Sequence, residues 1–367
     1  AEKDVRFKPP LARVTCNLAV VYKNTNRLTE SEENFKAALE MYRELEAINS
    51  DTEVNTAKTC LNFASLLHTL NRFAQAAAVN QEAIEKFRSA SKRHPESRPY
   101  VYKVAYNTAD LYTRMGRYEE AEALFEDALQ TCMELEKENP SSTDSALIAH
   151  GYANMCRDSG QYEKAGHLYA KALQVYAPLR DQSVDGRRGY TFASNDYAGL
   201  LLMIGKVEEA LHQINETLLY CRMLVDDNCE IFLPFYAKIL HCAAEVNIAA
   251  KSWDVAEKMA KESDDLFHKM ATDSPEAWAP FFAMNLISFG TIYMNSKEYG
   301  KSEKAFLEAL DIYHKLGENE PEGYTALIAT ASKGLYELYM DMGNTTEAQK
   351  YRASFESTDK MNLYATQ

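Results

Sequence analysis

Between residues 106 and 129 the apolar positions follow a helical period, break at one glycine, and resume. Ala109 and Tyr112 fall on one face before Gly116, and Ala121, Phe125, Ala128 and Leu129 fall on one face after it. Residues three and four apart share a helical face, so the pattern predicts two amphipathic helices joined by a tight turn. Small residues on either side of the turn let the two backbones cross closely, and the aromatic fills the space beside them.

The same pattern returns along the chain. The small residue before the turn recurs as Ala19, Ala64, Ala153, Ala198, Ala244 and Gly290, with Tyr336 in the last unit. After the turn it recurs as Ser31, Ala76, Ala165, Ala210, Ala256, Ser302 and Ala348. The aromatic recurs as Phe35, Tyr169 and Phe306 and is replaced by Asn80, Ile214, Ala260 and Arg352. The turns themselves fall at Asn26, Asn71, Gly116, Gly160, Gly205, Lys251, Lys297 and Gly343, in steps of 45, 45, 44, 45, 46, 46 and 46 residues. A fixed period of this length marks a solenoid whose units touch only their neighbours.

The A-x-x-x-F-x-x-A spacing from Ala121 to Ala128 resembles the tetratricopeptide repeat, and the resemblance runs from about residue 9 to 357. The period is longer than the roughly 34 residues usual for that repeat and falls in the range of HEAT units. The extra residues amount to about three helical turns, which would keep the faces in phase if they lay in one helix. Long-helix arrays of this kind resemble kinesin light chains and bacterial repeat proteins. The resemblance implies an all-α, right-handed tetratricopeptide-like α-solenoid of eight helix-turn-helix repeats. The expected domain spans 9–357, with repeats at about 9–49, 50–94, 95–139, 140–184, 185–229, 230–274, 275–320 and 321–357, and a tail at 358–367.

Punctuation supports these divisions. His94-Pro95, Asn139-Pro140, Ser274-Pro275 and Glu320-Pro321 are each expected to end a helix, because proline cannot continue one. The fifth unit has Asp185-Gly-Arg-Arg-Gly189 instead, which reads as a flexible loop: a plain connector, with a hinge or a contact loop as alternatives.

Composition narrows the functional class. The chain is 46% hydrophobic and 26% charged, as soluble domains are, and no apolar run approaches the roughly 18 residues of a membrane span. Its seven cysteines are scattered without a C-x-x-C pair, so zinc and redox sites are not expected and a reducing cytoplasm is. Net charge is −14, unevenly distributed: 17 basic residues face 14 acidic ones up to Gly116, and 23 face 40 thereafter. The acidic majority argues against nucleic acid as partner. There is no P-loop, dinucleotide fingerprint, H-E-x-x-H or G-x-S-x-G, so neither an enzyme, a cofactor nor a metal is expected.

One constellation remains. In the first three repeats an asparagine stands two residues before the small residue: Asn17, Asn62 and Asn107. Four residues earlier stands a base: Arg13, Lys58 and Lys103. That separation puts each base beside its asparagine, and the period stacks them into parallel rows. Families that this chain resembles often use such a row, on the concave surface, to bond the main chain of an extended peptide. An amide suits the task because it both donates and accepts, and the bases would favour acidic groups. Three net bonds give roughly 2–4 kcal/mol, short of the about 8 kcal/mol of micromolar binding, so side-chain pockets must add the rest. Tyr106, His68, Arg114, His150 and Arg157 are the expected pocket or rim residues. Later repeats lose the row to Gly151, Asp196, Cys242, Ser288 and Gly334, and the base survives only as Lys238. Glu245, Glu337 and Asp341 lie near the corresponding face, as a solvated acidic surface or a second site. The alternative for the rows is structural, with asparagines bonding neighbouring helices and the bases merely solvated. The expectation is a non-enzymatic scaffold or adaptor that binds an extended, acidic peptide in its N-terminal repeats. Its alternative is a peptide-responsive regulator whose superhelix changes pitch.

Overall fold

In the computed structural model, which describes residues 2–137, 143–270, 275–318 and 321–364, the turn residues are distinguished by their backbone. Among the described residues, positive φ is confined to Asn26, Asn71, Lys251 and Lys297, at 55–61°, and to Gly116, Gly160, Gly205 and Gly343, at 69–80°. A residue in this left-handed conformation lets the chain fold back on its own last turn. At the first turn the Arg27 amide donates to the Tyr22 carbonyl at 2.8 Å, and Asn26 donates to Lys23 at 3.1 Å. The same pair of bonds recurs at Asn71, Gly116, Gly205, Lys251, Lys297 and Gly343. These bonds satisfy carbonyls that a helix end leaves without partners.

The next residue then starts the following helix. The carbonyls of Arg27, Arg72 and Arg117 accept from the amides of Ser31, Ala76 and Ala121 at 3.0–3.1 Å. Each of these arginines also bonds through Nε to the residue three ahead: Glu30 at 3.0 Å, Gln75 at 2.8 Å and Glu120 at 3.0 Å. The hairpins close on the small residues. Ser31 Oγ donates to the Ala19 carbonyl at 2.8 Å, and Ser302 Oγ to that of Gly290 at 2.7 Å. Backbones that close leave no room for a larger side chain.

The chain is an all-α solenoid of paired helices, about eight repeats, with no strand among the described residues. It divides into two compact units, Ala1–Ser159 and Gly160–Gln367. The first holds α1 (Glu2–Asn24), α2 (Leu28–Glu46), α3 (Glu53–Thr69), α4 (Phe73–Ala90), α5 (Arg98–Arg114), α6 (Tyr118–Glu136) and α7 (Asp144–Asp158). The second holds α8 (Tyr162–Tyr176), α9 (Val184–Met203), α10 (Val207–Asp227), α11 (Cys229–Ala249), α12 (Trp253–Met270), α13 (Pro275–Asn295), α14 (Tyr299–Gly317), α15 (Pro321–Asp341) and α16 (Thr345–Tyr364). The helices run from 15 to 23 residues, so the added length is shared between both members of each pair rather than placed in one. Within each unit every helix packs on its neighbours in sequence, and first helices touch across repeats, as α5 does α7 and α11 does α13.

The column of aromatics lies at the centre of this packing. Phe35, Phe125, Tyr169 and Phe306 are buried, as are the substitutes Asn80, Ile214 and Ala260; Arg352, in the last repeat, is exposed. Five of the seven cysteines are buried, and burial raises the thiols of Cys60, Cys132 and Cys221 to about 12.

Two sequence expectations change. The segment Asp185–Gly189 is not a loop: it forms the first turns of α9, with Ser183 Oγ accepting from the Gly186 amide at 3.0 Å. Its glycines answer to contact. A Cβ on Gly186 would lie 2.5 Å from the Leu179 carbonyl oxygen, and one on Gly189 would lie 2.3 Å from the Tyr176 ring. The second change concerns α11, which is long and apolar enough to cross a bilayer by length and composition; half of that stretch is buried. Tyr236, Ile239, Leu240, Ala243 and Val246 of this helix form a core cluster with residues of α9 and α10. The punctuating prolines fall, as expected, between one helix and the next. Pro275 and Pro321 open α13 and α15, and Pro95 opens a single 3-10 turn (Pro95–Ser97). Asn139, Pro140, Ser274 and Glu320 lie outside the described residues. Helix α16 continues through 358–364, the start of the expected tail.

Candidate functional site

The ten residues singled out from sequence are carried by the first helices of repeats one to four. Arg13 and Asn17 are on α1, Lys58 and Asn62 on α3, Lys103, Tyr106, Asn107 and Arg114 on α5, and His150 and Arg157 on α7. The three asparagines are exposed, and none has a hydrogen-bond partner among the described residues. Their amides do not tie helices together.

The bases differ among themselves. Lys103 lies 3.4 Å from Asp144, and its ammonium is 5.9 Å from the Tyr102 ring centre. Lys58 has no ion pair among the described residues and stands 5.1 Å above the Tyr100 ring. Arg13 is exposed and likewise makes no ion pair there. Arg157 is half-buried and pairs with Asp158 at 2.9 Å; His150 is half-buried.

Three of the ten converge. Tyr106, Asn107 and Arg114 border a cleft of about 380 Å³ between α3 and α5, together with His68, Asp110 and Asn80. Arg114 Nε donates to Asp110 Oδ2 at 2.9 Å, so the rim carries a neutralised pair. Tyr106 is half-buried with its ring edge-on to Phe125 at 5.9 Å, and burial raises its hydroxyl. Gly151 accommodates it: a Cβ there would sit 2.7 Å from the Tyr106 ring. The asparagine row therefore ends in repeat four at a position that must stay bare.

A family profile described as "Tetratricopeptide repeat" matches residues 100–177, the part of the chain that carries the clearest unit. Over that stretch the chain resembles tetratricopeptide-repeat proteins. A second profile, described as an uncharacterized protein conserved in bacteria, matches residues 11–138 of the array. No curated protein matches the repeat chain. Among solved structures, the apo form of the quorum sensor NprR from B. thuringiensis is similar with a TM-score of 0.62 at 14% identity, over 94% of this chain and 86% of that one. Aspartyl phosphate phosphatase F from Bacillus subtilis gives 0.61 at 12%, over 87% and 74%. BtubC (BKLC) from P. vanneervenii gives 0.55 at 19%, over 67% and 92%. At these identities the likeness establishes the fold.

Two residues of the cleft were not among those expected from sequence. Asp110 follows Tyr106 by one helical turn and was hidden by the emphasis on bases. Asn80 was visible as a gap in the aromatic column, and its polarity was the signal: the other buried substitutes, Ile214 and Ala260, are apolar. Among the described residues no group of three or more His, Cys, Asp or Glu is placed to hold a metal. His241, adjacent to Cys242, instead lies with Nδ1 2.9 Å from Asn285 Oδ1.

Proposed function

We propose that this protein is a non-enzymatic scaffold or adaptor that binds an extended peptide segment along the first helices of repeats one to three. The observation that carries the reading is the set of three exposed, unbonded amides, Asn17, Asn62 and Asn107, repeated at 45-residue steps. Exposed amides in register can bond successive main-chain groups of an extended chain, which has the same mixture of donors and acceptors. The unpaired Arg13 and Lys58 favour acidic groups over repeats one and two. Over repeat three that preference weakens, because Lys103 and Arg114 already have carboxylate partners. The free thiols fit a cytoplasmic setting.

The test is capture from a displayed peptide library by the wild-type chain beside an Asn17→Ala/Asn62→Ala variant. Acidic peptides held by the wild type and weakened about ten-fold or more in the variant are expected, since two bonds of about 0.5–1.5 kcal/mol each are removed. Equal capture by both would make the row irrelevant to binding and move the site elsewhere.

A second reading, a peptide-responsive regulator, draws on the two compact units and on the quorum sensor among the proteins of similar fold. On this reading a captured peptide changes the pitch of the array. Small-angle scattering of the protein with and without that peptide separates the two: an unchanged profile leaves the scaffold alone.

A further inference from the structure

Asn80 stands in the column that other repeats fill with a ring. In repeat three Phe125 is stacked on Tyr152 at 5.3 Å and meets the Tyr106 edge at 5.9 Å. In repeat one Phe35 lies 5.9 Å from Phe63 of the next repeat. In repeat two the ring is missing, and the cleft of about 380 Å³ opens at its place, walled by Leu61, Leu111 and Tyr106. Asn80 is only 2% exposed, and its Oδ1 has no hydrogen-bond partner among the described residues. A buried acceptor without a donor is costly, and natural cores rarely retain one without a use.

We infer that this cleft is a subsite for a tyrosine side chain of the bound partner. The incoming ring takes the space left by the absent phenylalanine, and its hydroxyl bonds the Asn80 amide. Other side chains fit less well. Phenylalanine or leucine fills the walls and leaves the amide unpaired. A carboxylate brings no donor, and the paired Arg114 and Asp110 at the rim offer it no net charge. An ammonium finds no net negative charge at that rim and leaves its desolvation uncompensated against the apolar walls, and a carboxamide bonds Asn80 but leaves those walls half empty. A phenol satisfies both needs, and because it also accepts, it serves either orientation of the Asn80 amide. Arg114 at the rim adds a guanidinium suited to an aromatic face.

The inference rests on the peptide-binding reading for its ligand, but its test does not. The probes are p-cresol, which is the tyrosine side chain, and toluene, which is that of phenylalanine, titrated into the full chain by NMR. Saturable p-cresol binding at least ten-fold tighter than that of toluene is expected, with a ten-fold or greater loss in Asn80→Phe and Asn80→Leu. Asn80→Phe restores the ring of the neighbouring repeats and is expected to melt above the wild type. Asn80→Leu keeps the test open if the larger residue misfolds. Equal binding of both probes, no saturable binding, or undiminished binding by folded variants overturns the subsite and leaves Asn80 paired with a trapped water. If p-cresol binds as expected while Asn17→Ala/Asn62→Ala captures peptides like the wild type, the amide row fails and the subsite stands. If captured peptides depend on the row but show no tyrosine preference, the subsite alone fails.

Discussion

Lys251 and Lys297 hold the same left-handed backbone as Gly116 and Gly205, yet each carries a Cβ that this conformation crowds. Lys251→Gly and Lys297→Gly are each expected to raise stability by about 0.5–1 kcal/mol, net of the entropy that glycine adds to the unfolded chain. Asn71→Gly gains less, since asparagine tolerates the conformation. Urea unfolding midpoints measure all three. Register alone made the two lysines legible as turn residues, because their side chains give no hint of it. A second residue-scale expectation concerns Tyr190, whose hydroxyl donates to Glu216 at 2.8 Å. Burial first, and then the Glu216 bond, push this phenol up to about 12. A group with a raised folded pKa contributes stability that is complete below its unfolded value near 10 and is lost as pH climbs toward 12. Tyr190→Phe should therefore flatten the fall in urea midpoint between about pH 9 and about pH 11.5. An unchanged slope would show that other tyrosines dominate alkaline unfolding.

Among the elements, α1 and α3 show how one register serves two environments. Leu11, Val14, Leu18 and Val21 form an apolar stripe on α1 that is 39–59% exposed. One period later the same positions on α3 are Thr56, Thr59, Phe63 and Leu66, all buried. Val14→Lys is expected to stay within about 0.5 kcal/mol of the wild type. Thr59→Lys puts an unpaired charge where 2% of the residue is exposed and should cost about 3 kcal/mol or more. Thermal or urea unfolding of the pair checks both. The helices themselves were legible in sequence, because small residue, turn and small residue recur in strict order. The start of α9 was not. Two glycines among charges look like a loop, whereas here Gly186 and Gly189 are small because Leu179 and Tyr176 press against them. A bare position required by a distant contact leaves no local sign in the sequence. The same holds for Gly151 beneath Tyr106.

For the whole molecule, charge follows position: the basic excess ends near Gly116 and the acidic excess begins there. The proposed peptide face lies in the basic part, so binding of an acidic segment should weaken as salt is raised. Calorimetry at two ionic strengths reads this directly, and a salt-independent affinity would argue for contacts made by amides and rings alone. The rows of Asn and base were legible because they repeat. The subsite at Asn80 was legible only as an irregularity, since one missing ring has meaning only beside the rings that remain.

The two-bond turn has a consequence for the gene. Asn71 and Gly116 end their helices alike, and Arg72 and Arg117 begin the next ones alike, each bracing the residue three ahead. Excising residues 72–116 would join Asn71 to Arg117 and give Arg117 the Leu67 carbonyl that Arg72 now uses. The shortened chain should fold with undiminished helix content per residue by circular dichroism, one repeat poorer and without Asn80. A seam of this kind lets whole units be lost or duplicated without disturbing either neighbour, so length itself becomes a trait that recombination can alter in a single step.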